Sequence, residues 1–410
     1  MKKKIELLAP AGDMEKIKIA IIYGADALYF SGENYSLRAG AGNLSAKEME
    51  DAVDLIHASG KKAYLTLNIF PRNEDISGIR KFIKEIAHIN IDAFIISDPG
   101  VINLIKEEIP SPEFHLSTQA NMTNYITAKF WYDLGIKRIV LARELTFSEI
   151  SVIKENIPED MELEAFCHGA MCISYSGRCL LSNFMTDRDS NRGLCSHPCR
   201  WKYSLMEEKR PGEYFPIEED NRGTYIMNSK DMCMIEHIPD LINNGISSAK
   251  IEGRMKSIFY LATVINAYRH AIYDYYKAEE NYVFNPKWLD EVSKVSHRKF
   301  GTGFYYNEKD EKINQNYETS GYIRTYSFNG LILDYDEKTG LATVEQRNKL
   351  SIGDMIEIFG YDADFFSQEL TELYDANTGE SLASAPHPQQ KLKIRVNKPV
   401  KPYYMIRKKL

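Results

Sequence analysis

Along the first two thirds of the chain, short apolar runs alternate with amphipathic stretches of helical period. The runs predict strands at Ile5–Ala9, Ala27–Phe30, Ala63–Leu67, Ala93–Ile96, Phe114–Ser117, Ile139–Ala142, Leu163–Cys167 and Ala249–Glu252. Between them, Met14–Tyr23, Ser77–His88, Asn124–Leu134 and Phe147–Asn156 repeat apolar positions every three to four residues, each after a capping or turn residue. Eight strand-helix units in succession predict an α/β fold, a TIM-barrel-like (β/α)8 domain over residues 1–285. In such a barrel the chemistry sits where strands end and the following loops begin. That rim would carry Asn68, Asp98, Ser117, Thr118, Gln119, Arg143, Glu144, His168, Glu252 and Arg254.

The alternation breaks once. After the seventh predicted strand a long polar segment, residues 171–224, interrupts the repeat before a helix expected over Ile235–Asn243. A long helix follows at about residues 256–282, and its tyrosine stripe has the spacing of core packing. A linker at 286–317 contains Pro286, His297 and Arg298; the last two would reach the barrel mouth or hold the domains together. From 318 to 410 short alternating runs separated by Asn329-Gly330, Thr339-Gly340 and Thr378-Gly379 predict a small C-terminal antiparallel β-barrel domain. Its run Leu350–Phe359 resembles a strand of translation-factor barrels, a hint of RNA contact. Lys391, Lys393, Arg395, Lys398, Lys401, Arg407, Lys408 and Lys409 crowd the end with no acidic residue after Glu380, and Tyr403 and Tyr404 lie among them. Basic side chains interleaved with aromatics suit phosphates and unpaired bases, although a charge run is more often a solvated face.

Composition narrows the class. A 410-residue chain with 44% hydrophobic residues can fill a sizeable core, and a formal charge of −7 argues against indiscriminate coating of nucleic acid. No run of 18 apolar residues occurs, and Met1-Lys-Lys-Lys-Ile-Glu6 leads directly into a strand, so the expectation is a cytoplasmic protein with no membrane partner.

All six cysteines, Cys167, Cys172, Cys179, Cys195, Cys199 and Cys233, fall from the last residue of the seventh predicted strand to the start of the eighth. In a reducing compartment such clustering points to metal binding or catalysis rather than disulfides. Only Cys195 and Cys199 stand at the close spacing of zinc ligand pairs. An iron-sulfur cluster, which gathers thiolates from separated loops, suits the irregular spacing better, while buried free thiols and zinc remain alternatives.

Within this region Glu164, Phe166, His168, Gly169, Cys172, Ser176, Gly177, Cys179 and Ser182 form a signature that resembles the peptidase U32 family. The resemblance continues through Arg188–Trp201, Asn228–Cys233, Ile251–Arg254 and Ser296–Phe304, and begins at Leu7–Asp13. It implies an oxygen-independent hydroxylation factor with a [4Fe-4S] cluster on Cys172, Cys179, Cys195 and Cys233; a related branch uses a cysteine pair of this kind, so Cys199 stands as an alternative to Cys195. Cys167 departs from the usual apolar residue before the motif histidine and reads as a small buried side chain. The length and the C-terminal domain are similar to the branch that converts the wobble uridine of tRNA to 5-hydroxyuridine, with prephenate as implied hydroxyl source. The partner implied is a tRNA anticodon stem-loop, with a paralogous U32 subunit as an optional second.

His168 and Glu252 are the candidate catalytic residues; Arg178, Arg254, Asn228 and Lys230 are the candidate substrate-binding residues, the two arginines for a carboxylate or phosphate. Each has a plainer reading: His168 as a histidine satisfied in the core, Arg143 with Glu144 as a surface pair, Asn68 or Asp98 as helix caps. Three rival functions stand beside hydroxylation of tRNA. They are a U32-type peptidase of the collagenase-like kind, for which the chain has neither a His-Glu-x-x-His helix nor a Gly-x-Ser-x-Gly elbow, a hydroxylase of a small aromatic, and a non-catalytic iron-sulfur scaffold.

Overall fold

The computed structural model describes residues 4–37, 43–172, 174–200, 229–306, 322–362 and 365–410, together with short strand pairs at 205–206, 214–215, 219–220 and 223–224. Eight parallel strands close into a barrel: β1 (Glu6–Pro10), β2 (Ala27–Phe30), β3 (Lys62–Leu67), β4 (Ala93–Ile96), β5 (Phe114–Leu116), β6 (Ile136–Val140), β7 (Glu162–Ala170) and β8 (Ser248–Ile251). Closure comes from β8, which pairs with β1 on one side and β7 on the other. Strands β2, β4 and β8 are buried at every position, as expected when helices cover the outside and side chains fill the inside.

The helices predicted from period lie where expected, at Met14–Ile22, Ile76–Ile86, Tyr125–Asp133 and Phe147–Asn156. Two more, Ala46–Ala58 and Pro99–Glu108, complete the alternation. Local chemistry starts them cleanly. Ser45 and Thr146 each close a reciprocal capping box with a glutamate three residues on, and Asp98 caps the helix after β4. The largest departures are in β7, which runs three residues past its predicted end, and in β6, which begins three residues before its predicted start, with Arg138 turned into the barrel and buried while Lys137 stays exposed. After β8 the helix Ile258–Ala278 packs across the barrel with most of its first fifteen residues buried, so Tyr260 and Tyr268 are core, while Tyr273 further along is exposed.

The region between β7 and β8 does not continue the barrel. It carries a short helix, Leu181–Thr186, and a strand, Asp231–Cys233, that runs antiparallel to the end of β7 and places Cys233 opposite His168. The second domain is an antiparallel sheet of seven strands around its own apolar core. Its edge strand Phe365–Glu369 reaches Lys391–Arg395 by a side chain rather than a ladder: Gln368 donates to the Arg395 carbonyl at 2.7 Å and accepts from the Asn397 amide at 2.8 Å.

The basic carboxyl end is only partly an open face, because some of its side chains are paired within the domain and one is buried against Glu291. Arg407 is fully buried and pairs with Glu291 at 2.7 Å and with Glu357. Tyr404 is buried with its hydroxyl on Asp362, while Arg395, Lys401 and Lys408 pair with Glu372, Asp362 and Asp354. Lys391, Lys393, Lys398, Lys401 and Lys409 of that run are exposed, Lys401 with its amine on Asp362. Arg298 in the linker is likewise buried against Asp231 at 2.7 Å. Among the described residues no helix is long and apolar enough to cross a membrane.

Candidate active site

Four of the barrel strands carry a charged residue inside an otherwise buried run: Glu6 on β1, Arg138 on β6, Glu164 on β7 and Lys250 on β8. Their side chains meet in the barrel interior. Lys250 donates to Glu164 at 2.7 Å, and Arg138 reaches Glu164 at 3.3 Å, Glu6 at 2.5 Å and Glu162 at 2.6 Å. Glu164 is completely buried. Burial alone would raise its carboxyl, but Lys250 first and then Arg138 outweigh that and hold it below the usual carboxylate range. His115 lies beside this ladder at the edge of the Tyr64 ring, and burial pushes its imidazole below its ordinary value.

Lys250 also faces upward, into a cavity of about 360 Å³ at the carboxyl ends of the strands. The barrel contributes Tyr29, Thr66, Asn68, Ser117, Gln119, Arg143, Phe166, Lys250, Glu252, Arg254 and Lys256. Arg143 lies over the Phe166 ring at 3.9 Å and donates to the Ala170 carbonyl at 3.1 Å. Arg254 is buried and donates to Ser36 at 2.9 Å and Thr66 at 3.2 Å. Arg143, Lys250, Arg254 and Lys256 thus stand against Glu252 as the lone acid among the described lining residues, so the cavity favours an anionic ligand.

The opposite wall is the insertion, which brings Cys172, Cys179, Cys195 and Cys199 to the same cavity. It is tied to the rim at three places. Ser176, in a left-handed conformation (φ 41°), donates its amide and hydroxyl to Glu144 at 2.5 and 2.6 Å. Arg192 forms two 2.8 Å bonds with Asp75, and Arg178 donates twice to the Gln119 carbonyl at 3.1 Å. Burial raises the Cys179 thiol, yet hydrogen bonds from the Ser174 hydroxyl, the Ser182 and Leu181 amides and the Ser190 hydroxyl bring it below its ordinary value, which favours a thiolate. Four thiols around one cavity, one of them predisposed to ionise, form a donor set suited to a group larger than a single ion. Among the described residues no three His, Cys, Asp or Glu side chains are gathered as a metal-ion site.

The sequence candidates separate accordingly. Glu252 and Arg254 line the cavity, and Arg178 braces its rim. Glu252 owes its place to Gly169, whose φ of +114° lets β7 approach so closely that a Cβ there would lie 2.5 Å from the Glu252 carbonyl oxygen. His168 does not reach the cavity. It is buried among Tyr260, Tyr268 and Phe300 on the far side of β7, and burial pushes its imidazole down to about 3, so it stays neutral and acts as a core residue. Lys230 packs along Gly301 outside the cavity, and Asn228 lies outside the described residues. Cys233 is absent from the cavity lining: it is buried below Tyr268, whose hydroxyl is 4.0 Å from its sulfur, and burial pushes its thiol up to about 12. Cys167 is buried beside it.

Lys250 and Arg143 are the functional residues that strand-end reasoning undervalued. The available signal was a lysine inside a strand too apolar to expose it.

A parallel barrel whose mouth faces a thiol-bearing insertion over a cationic floor defines a barrel enzyme with a composite site. The chain belongs to peptidase family U32: the family's model matches residues 12–315 and the U32 C-terminal domain matches 324–407. It is 42% identical over 406 residues, 99% of this chain and 95% of the relative, to tRNA hydroxylation protein P1 of Bacillus subtilis. It is 37% identical to tRNA hydroxylation protein P of Escherichia coli, covering 87% of this chain and 86% of that one. A protein named collagenase from Porphyromonas gingivalis is 32% identical over 97% of this chain and 96% of its own length.

Proposed function

We propose that this protein hydroxylates the wobble uridine of tRNA to 5-hydroxyuridine without molecular oxygen, using a [4Fe-4S] cluster held by the insertion and prephenate as the source of the hydroxyl group. The names of the relatives from Bacillus subtilis and Escherichia coli support the reaction class. The observation that carries the site is the cavity itself, with four thiols on one wall and four cations on the other.

Cys172, Cys179 and Cys195 supply three of the expected ligands; the fourth is Cys233 by family resemblance or Cys199 by its place in the cavity. When bound, the cluster supplies one-electron chemistry and a Lewis-acidic iron. The chain's own residues do the rest. Lys250 and Arg254 would offer charge and donors to the carboxylates of prephenate, Glu252 would accept a proton, and the insertion would limit the access of water to the reacting atoms. An anticodon loop presents unstacked bases to such a mouth, and the exposed Lys391 and Lys393 offer contacts for its phosphates.

The test is iron and sulfide analysis of protein purified without oxygen, with single serine variants of Cys172, Cys179, Cys195, Cys199 and Cys233, alongside nucleoside analysis of tRNA from cells with and without the gene. About four irons per chain, lost on replacing Cys172, Cys179 or Cys195, together with 5-hydroxyuridine that depends on the gene, is the expected result. Whether Cys199 or Cys233 joins that set identifies the fourth ligand. Protein without iron, or tRNA unchanged by loss of the gene, overturns the reading. The relative named collagenase supports peptide hydrolysis as a second reading, and gelatin cleavage by the iron-free protein would favour it.

A further inference from the structure

Gln119 follows β5 in a single helical turn, Thr118–Ala120. The Ala120 amide donates to the Ser117 carbonyl at 3.0 Å, Asn121 closes the turn in the left-handed region, and the Arg178 guanidinium grips the Gln119 carbonyl. So fixed, the Gln119 side chain is 94% buried and lines the cavity, yet its Oε1 has no hydrogen-bond partner among the described residues. A buried amide oxygen left unpaired costs free energy that a ligand donor would recover. Nε of Arg143, also buried and lining the cavity, likewise has no partner among the described residues while the same guanidinium is oriented by Phe166 and the Ala170 carbonyl. Both atoms are occluded where they stand, but they belong to residues that line the cavity, and a turn of either side-chain end would bring a vacant acceptor and a vacant donor to a ligand there. A carboxylate satisfies the donor and repels the acceptor. A neutral imide, an N–H flanked by carbonyls, satisfies both.

Resting on the tRNA reading above, we propose that Gln119 reads the imide edge of the uracil base turned into the cavity, its amide accepting from N3–H and donating to an adjacent carbonyl, with Arg143 donating to the other. This divides the cavity between Lys250 and Arg254, which take the anionic co-substrate, and Gln119 with Arg143, which take the base. Gln119 is then a specificity residue that touches the substrate and takes no part in proton or electron transfer.

The test measures affinity of the full-length protein for two anticodon stem-loop RNAs that differ only in carrying uridine or N3-methyluridine at the wobble position. Methylation is expected to weaken binding to the wild-type protein roughly tenfold, the scale of one lost bidentate base contact. Gln119→Leu should bind both RNAs equally, at the level of the methylated one. Gln119→Glu, closest in shape and the fallback should the leucine variant fold poorly, should bind uridine weakly because a carboxylate repels the flanking carbonyl. Wild-type protein that binds both RNAs alike, or a Gln119→Leu variant that retains the full preference for uridine, overturns the proposal while leaving the tRNA reading intact. Absence of binding to either stem-loop overturns both.

Discussion

Replacing Lys250 by methionine removes the cation closest to a carboxylate that has no access to water. Glu164 is fully buried, with Lys250 at 2.7 Å and Arg138 at 3.3 Å. Without Lys250, the Arg138 guanidinium is left to balance Glu6, Glu162 and Glu164 together. Breaking a buried pair from one side costs about 3–5 kcal/mol, because the remaining charge stays desolvated. Unfolding entropy of about 2.1 cal/mol/K per residue, over a barrel of roughly 300 residues, converts that loss into a fall in Tm of about 5–8 °C. Calorimetry of Lys250→Met at neutral pH should show it. The double variant Lys250→Met/Glu164→Gln, which removes the stranded charge, should recover at least half. The pH dependence has a definite sign. Since the Glu164 carboxyl is held below its unfolded value, the stability it contributes is present above the unfolded pKa of about 4.3 and is lost as the pH falls through the folded value. In Lys250→Met the carboxyl accepts a proton more readily, so the gap from wild type narrows toward pH 4. A Tm shift of less than about 1 °C, or a double variant no better than the single one, refutes the claim that the barrel interior is held by this ladder.

His115 is buried and neutral, its imidazole pushed down chiefly by burial, so the unfolded chain takes up a proton below about pH 6.5 that the folded one refuses. Stability should therefore decline as the pH falls from 7 to 5, and His115→Phe, which keeps the contact with Tyr64, should flatten that part of the Tm profile; an unchanged slope would show that other groups govern it. Gly169→Ala places a Cβ 2.5 Å from the Glu252 carbonyl oxygen at a φ of +114°, whereas Gly353→Ala at +86° meets nothing within 4 Å. The first should cost about 2–4 kcal/mol and the second about 1, read from thermal melts, and equal costs would mean that β7 and β8 can separate without penalty.

The strand and helix periods placed all eight barrel strands within three residues of their observed bounds, because strands buried on both faces and helices buried on one face write their burial directly into local hydrophobicity. The same topology rule brought Gln119, Arg143, Glu252 and Arg254 to the rim, since the end of a strand is a local property. Where local pattern and partner separate, the sequence alone was silent. Nothing near His168 says that Tyr260, Tyr268 and Phe300 enclose it, and nothing near Arg407 says that Glu291, more than a hundred residues earlier, takes its charge. The fold class and the thiol-rich insertion were written in the order of residues along the chain. Which thiols share a cavity, which cations face them, and which of the carboxyl-terminal basic residues remain exposed were decided only when distant strands met, because pairing and desolvation of charge depend on neighbours that the chain supplies from far away.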